Sequence, residues 1–394
     1  MIDARLARFG LDTQEALGAA VIGHLVPFNL WATLLDRDEA TVLEVSGEVC
    51  AAQLMEEEAD GTGVRFVHAL VREAVYAGVR PVRRRALHRR AGAALLALPA
   101  PDPDAVASHL VRAADPRAAD WLRRAGDRAH RAYAWLTAAA RYEAALALVE
   151  KGGIAPLERA WLLFRLAQLR RFVDALGALP QMQEAARLAD QVGDRFLSTR
   201  AHLGMGHLLC LGGDYRRGIP QLTAGLAAIG TFTNEEHEQR GRLDPTDRSI
   251  GPGTLVVFLA VLGRYDEARA IGEPYVASAP DPETVRRADA APHADAQAGL
   301  GLMQAALGRT EAAQQLFAQA RSALRAVDHT FLVGRCAALE LSRISLPYHA
   351  ERLDERRTLA VEGASVGPLA LIGWPDDLPS LWHLSLLVVE GRWR

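Results

Sequence analysis

From about Arg117 onward, apolar positions recur at helical spacing and are broken by short turns of one recurring type. The turns read Leu211-Gly-Gly-Asp-Tyr215, Leu262-Gly-Arg-Tyr265 and Leu307-Gly-Arg-Thr310, and to them we add Leu169-Arg-Arg-Phe172, Ala140-Arg-Tyr142 and Glu390-Gly-Arg-Trp393. In such a turn a glycine ends one helix in a left-handed cap, the aromatic packs the corner, and a small residue three positions later lets the next helix approach. Phe172, Tyr215, Tyr265 and Thr310 are separated by 43, 50 and 45 positions, with a degenerate turn expected near Tyr348. The pattern predicts an α-solenoid of tetratricopeptide type with lengthened helices and loops. Gln183 to Asp194 reads as a second helix of one repeat, Phe196 to Cys210 as the first helix of the next, and the polar stretch Gly230 to Gly253 as an exposed loop. The pattern breaks again at Ala279-Pro280-Asp281-Pro282.

The first hundred residues differ. Asp12-Thr13-x-Glu15 suits the start of a helix, Phe28 to Leu35 gives a second and Asp38 to Met55 a third. Gly61-Thr-Gly63 and Val64 to Val67 read as a turn and a short strand, followed by helices at His68 to Ala77 and Pro81 to Leu98. Three helices, a turn and a strand suit a winged-helix-like unit. The expected fold is thus mainly α, with a winged-helix-like unit over residues 1–98 and tetratricopeptide-like repeats over 104–394, joined at Pro99 to Pro103.

Composition agrees with close-packed helices. Alanine supplies 72 of 394 residues and aromatics only 6%, which disfavours a β-rich fold. The uncharged stretch Ala16 to Leu35 contains His24, Pro27, Asn29, Gly18 and Gly23, so it reads as two buried helical segments meeting at Pro27 and not as a membrane span. Cys50, Cys210 and Cys336 lie far apart and form no disulfide framework or cysteine zinc site, which fits a reducing cytoplasm. A net charge of −3 gives no global pull toward nucleic acid.

The run Val64-Arg-Phe-Val-His68-Ala-Leu-Val-Arg72-Glu-Ala-Val-Tyr76, followed by Pro81-Val-Arg-Arg-Arg85-Ala-Leu-His88, resembles the region after the nucleotide-binding domain in bacterial signal-transduction ATPases, the LuxR-type regulators and adenylate-cyclase-associated ATPases. Trp121-Leu-Arg-Arg-Ala-Gly126 resembles the start of their repeats. The resemblance implies a winged-helix part followed by repeats that sense a ligand or partner. A phosphate-binding G-x-x-x-x-G-K-[ST] loop needs a lysine, and the single lysine, Lys151, stands in Glu-Lys-Gly-Gly. No hydrolysis of ATP by the family mechanism is expected. The chain starts where the ATPase domain would have ended and stops inside a repeat turn, so a truncated remnant of a larger regulator is an alternative reading.

Other chemistry is weaker. Gly363-Ala-Ser365-Val-Gly367 with Asp376, Asp377 and His383 matches a hydrolase order, but the strands a nucleophile elbow requires do not precede it. Gly204-x-Gly206 and Gly299-x-Gly301 lack the third glycine of a dinucleotide loop and suit helix crossings. His202 and His207, five apart, do not share a helix face for a metal. We therefore expect no catalytic residue, cofactor or metal. The one strongly basic feature, Arg80, Arg83, Arg84, Arg85, Arg89 and Arg90, is a candidate contact for an anionic partner. Ala86, Leu87, Ala91, Ala94 and Leu95 are the expected buried side of that helix, with Arg85 and Arg89 outside. The expected function is a non-enzymatic sensing or scaffolding arm that binds a protein, peptide or small ligand on its repeat surface and passes the state to an ATPase or output domain. The alternative is a transcription regulator touching DNA through the winged-helix-like unit.

Overall fold

The computed structural model describes residues 9–10, 13, 16–18, 22–132, 134–152, 156–171, 174–233, 235–236, 250–278, 287–349 and 351–364. The chain divides into two compact units, Met1–Ile154 and Ala155–Arg394. The Pro99 to Pro103 linker lies inside the first.

The first unit opens with strand β1 (Leu25–Pro27), helices α1 (Phe28–Leu35) and α2 (Glu39–Ala51), then strands β2 (Met55–Glu57) and β3 (Gly63–Phe66). The sheet is antiparallel in the order β1-β3-β2, with Val26 opposite Val64 and Met55 opposite Phe66. Strand alternation sends Val64 and Phe66 inward and Arg65 outward, as a sheet with one buried face requires. Val26, Trp31, Val42, Val49, Leu54, Met55, Val64 and Phe66 form one core, and the Trp31 Nε1 donates to the Ala16 carbonyl at 2.9 Å. Asp38 caps α2 by accepting from the Thr41 amide.

This succession of elements corrects two expectations. Leu25–Pro27 is a strand and not the end of a helix, because its backbone finds a partner in β3, nearly forty positions away. Helix α2 stops at Ala51, four residues before the expected end, and Met55 begins β2. Both strands are three residues long, too short for alternation to show in the sequence.

Four helices complete this unit after α3 (Ala69–Gly78): α4 (Pro81–Leu96), α5 (Pro103–Ala113), α6 (Ala118–Arg131) and α7 (Trp135–Gly152), each packed on the next from α4 onward. Helices α4 and α5 both begin with proline at the first turn, where its missing N–H costs nothing. Helix α7 runs straight through Ala140-Arg-Tyr142, so the expected turn there does not exist. No glycine precedes Tyr142 to end a helix. Its ring instead lies fully buried against Gly126 and its hydroxyl donates to Asp127 Oδ1 at 2.7 Å.

The second unit is a solenoid of antiparallel helix pairs: α8 (Pro156–Arg170) with α9 (Ala175–Val192), α10 (Arg195–Leu211) with α11 (Tyr215–Ile229), α12 (Pro252–Val261) with α13 (Tyr265–Ala277), and α14 (Arg287–Ala306) with α15 (Thr310–Ala326). Helix α16 (Thr330–Glu340) continues through a π-helical turn at Leu341–Ser345 into α17 (Leu346–Tyr348), and α18 (Leu353–Ala364) packs back on α16. Gly193, Gly213, Gly263 and Gly308 take positive φ, and Tyr215, Tyr265 and Thr310 each begin the following helix. A chain turn follows Tyr348, as expected. Phe172 lies outside the described residues, and Ala175, after the capping Asp174, holds the place of Tyr215. The small residues sit at helix crossings: a Cβ on Gly206 would lie 2.5 Å from the Leu222 amide nitrogen, and one on Gly299 2.8 Å from that of Val257. Among the described residues, no helix is long and apolar enough to cross a membrane.

Candidate functional site

The basic cluster lies on α4. Arg80, Arg83, Arg85, Arg89 and Arg90 are exposed, and the Arg84 guanidinium lies 5.0 Å from the centroid of the Tyr76 ring. Arg90 donates to the Leu34 carbonyl at 3.2 Å, which pins it across the end of α1. Leu87, Ala91 and Leu34 form a small core, but Ala86 is exposed, contrary to its expected burial. It stands instead at the lip of a groove of about 300 Å³ between α1 and α4, lined by Leu34, Leu35, Arg83, Ala86, Leu87 and Arg90.

The neighbouring face of the same unit has the opposite sign. Helix α2 holds Glu39, Glu44 and Glu48 and no basic residue, while strand β2 adds Glu56 and Glu57 and the turn after it Glu58 and Asp60. Arg65 is the basic residue there, paired with Glu56 at 2.6 Å and Glu58 at 3.7 Å. Burial, followed by the charges of Glu57 and Glu56 on β2, raises the pKa of Cys50 at the end of α2.

Behind α4 lies a chain of three polar side chains, the partly buried Tyr76 and the buried His88 and His109. The Tyr76 hydroxyl and His88 Nε2 are 3.0 Å apart, and His88 Nδ1 and His109 Nδ1 are also 3.0 Å apart. One imidazole must donate and the other accept across their contact, so the two rings are not both charged. Burial pushes each histidine down to about 4, helped at His88 by His109, Arg112 and Arg84 and at His109 by Arg112. The geometry locks α3, α4 and α5 together.

In the second unit, a groove of about 460 Å³ runs between α9 and α11 over α10. Met205, Leu209 and Leu179 give it an apolar floor, and Gln183, Arg187 and Gln221 stand among its polar lining. Glu184 grips Arg187 through two hydrogen bonds of 2.6 and 2.8 Å, and this pairing, with Arg159, holds the Glu184 carboxyl down to about 2. His202, which also lines the groove, contacts the Ser198 carbonyl through Nδ1 at 2.9 Å.

The helices beneath carry buried cations that the sequence did not single out. Arg165 and Arg200, 1% and 2% exposed, lie 5.3 Å from the Trp161 ring centroid and 5.7 Å from that of Phe164. Arg335 pairs with Asp295, which also accepts from Thr254 at 3.2 Å. Burial, then Arg171 and Arg335, push His207 down to about 3. The spacing of Trp161, Arg165 and Gln168 on one helical face was the available signal, but it reads equally as a solvated stripe.

His202 is exposed in the groove and His207 is buried, so the two do not meet at one site. Among the described residues no group of three metal-ligating side chains occurs. Ser365, Asp376, Asp377 and His383 lie outside the described residues. The buried thiols Cys210 and Cys336 are pushed up to about 11, away from nucleophilic use at neutral pH.

No protein-family profile and no curated protein matches the chain. Among solved structures, it is similar to the crystal structure of a signal transduction ATPase with numerous domains that carries a tetratricopeptide repeat sensor, from Pyrococcus horikoshii, at 12% identity and a TM-score of 0.45. The match covers 98% of this chain and 60% of that one. A likeness at this level assigns no family and transfers no function.

Proposed function

We propose that this chain is a non-enzymatic regulatory arm whose repeat unit binds a protein or peptide partner, with the winged-helix-like unit relaying the bound state to an ATPase or output domain. The observation that carries this reading is the groove over α10, where an apolar floor is bordered by polar side chains held by their own ion pairs. Such a surface suits an extended or helical segment that inserts apolar anchors and exchanges hydrogen bonds at the rim. The sequence resemblance to signal-transduction ATPases supports the regulatory setting. Against the reading as a DNA-binding regulator stands the charge of α2, β2 and the β2–β3 turn, the parts of a winged helix that would face DNA, since phosphates are repelled by seven carboxylates against one arginine.

The test is a photo-crosslinking residue placed at Gln221 in the groove, compared with one at the exposed Leu307. A discrete crosslinked partner at Gln221, absent at Leu307 and lost on Arg217→Glu, is expected. Equal labelling at both positions overturns the groove as the binding surface. Turnover of ATP by the purified chain in the presence of magnesium overturns the non-enzymatic reading.

A further inference from the structure

The face of the first unit formed by α1 and α4 combines two features, an apolar groove edge and a cluster of arginines. The groove between these helices is apolar at its edge: above Leu34 and Leu87, which are buried at its base, Leu35 is partly exposed and Ala86 stands exposed at the lip. Around it, α4 concentrates arginines at the wrong end of a helix. Arg83 and Arg84 lie in its first turn and Arg80 just before it, with no acidic residue in that turn, although the helix dipole there already favours negative charge. Arg80 and Arg85 form no ion pair among the described residues. A helix selected only for stability would carry the reverse pattern.

We propose that this face is a docking site for an acidic peptide segment of a protein partner, which seats one large apolar side chain on Leu35 and Ala86, above the buried Leu34 and Leu87, while its carboxylates meet Arg83 and Arg90 at the two ends of the groove. Arg90 is already held in place by the Leu34 carbonyl, so its remaining N–H groups are oriented before binding and lose little freedom on meeting a carboxylate. Arg80, Arg85 and Arg89 widen the positive field around the groove and speed encounter.

The same observations argue for a peptide over a nucleic acid. A phosphate backbone has nothing to place against Leu35 and Ala86, whereas an apolar peptide side chain does. The acidic α2 and the β2–β3 turn of the same unit also repel a duplex that spreads beyond α4. For a peptide, that acidic face sets direction, since it rejects further carboxylates and confines an acidic segment to α4. The site is distinct from the groove over α10 and stands or falls independently of it.

The experiment is selection of a random peptide library on the full 394-residue chain, followed by fluorescence anisotropy of the recovered peptides. Expected are sequences with Asp or Glu flanking Leu, Ile or Phe, whose binding weakens with salt and drops about tenfold or more in Ala86→Glu, a change at an exposed position that leaves the melting temperature in place. Arg90→Gln is expected to weaken them comparably, Arg85→Glu less, and Arg217→Glu in the second unit not at all. Recovered peptides without acidic residues, binding indifferent to both Ala86→Glu and Arg90→Gln, or a duplex DNA that binds and depends on those same two positions, each overturn the proposal.

Discussion

The two units solve the problem of stopping and starting helices in different ways. In the second, the instruction is local: a glycine at positive φ closes one helix, and an aspartate or arginine one position later leads into the next, as at Gly213-Asp214, Gly263-Arg264 and Gly308-Arg309. Interfaces are then made by alanine and glycine, as where α11 crosses α10 at Gly206 and Leu222. In the first unit the instruction is distant. β1 exists only because β3 pairs with it, and Trp31 is held by the Ala16 carbonyl and by side chains from β1, α2 and β3. The contrast teaches that repeats can be read from short motifs, while a small mixed unit is decided by contacts far apart in the chain.

The difference is sharpest at Trp31. Its replacement by alanine empties the centre of the first core and is expected to cost about 3–5 kcal/mol. Hydrogen exchange should show protection lost in β1, β3 and α2 while α10 and α11 keep theirs. Equal loss in both units would break the comparison.

Acid tests the two units through their buried histidines. His88 and His109 sit at about 4 in the folded chain, below the 6.5 of a free imidazole, so the unfolded chain takes up protons first. Their contribution is complete above pH 6.5, falls as the pH drops from 6.5 to 4, and is lost below. The expected loss across that window is on the order of 3 kcal/mol for each histidine. His207, at about 3, acts in the same direction in the second unit. Melting curves from pH 7.5 to 4.5 should flatten in a His88→Gln, His109→Leu double variant, and an unchanged slope would remove the pair from the account.

The mildest change strikes the repeats. Gly206→Ala sets a methyl group 2.5 Å from the Leu222 nitrogen and forces α10 and α11 apart, at an expected cost of about 1–3 kcal/mol. Chemical denaturation should show this without loss of the first unit's near-ultraviolet tryptophan signal from Trp31. A neutral result would mean that the crossing is looser than its backbone geometry implies.

The positive-φ glycines explain which turns were legible. Turns at Tyr215, Tyr265 and Thr310 follow such glycines and were placed correctly; Tyr142 has the aromatic and the small residue but no glycine, and the helix continues. The glycine carries the signal because it alone adopts the cap conformation without strain. The arginines of α4 were equally legible as a charge pattern, and Arg85 and Arg89 do face outward. The groove beside them was not, because Ala86 looked like a core residue and its exposure depends on where α1 stops.

The sequence by itself determined the helical class, the repeat turns and the sign of the charge on each surface, because these follow from backbone preferences and formal charge within a few residues. Tertiary structure alone decided the three-stranded sheet, the histidine pair and both grooves. Each of these joins residues from separate elements, and the free energy that selects them arises only when those elements are already in contact.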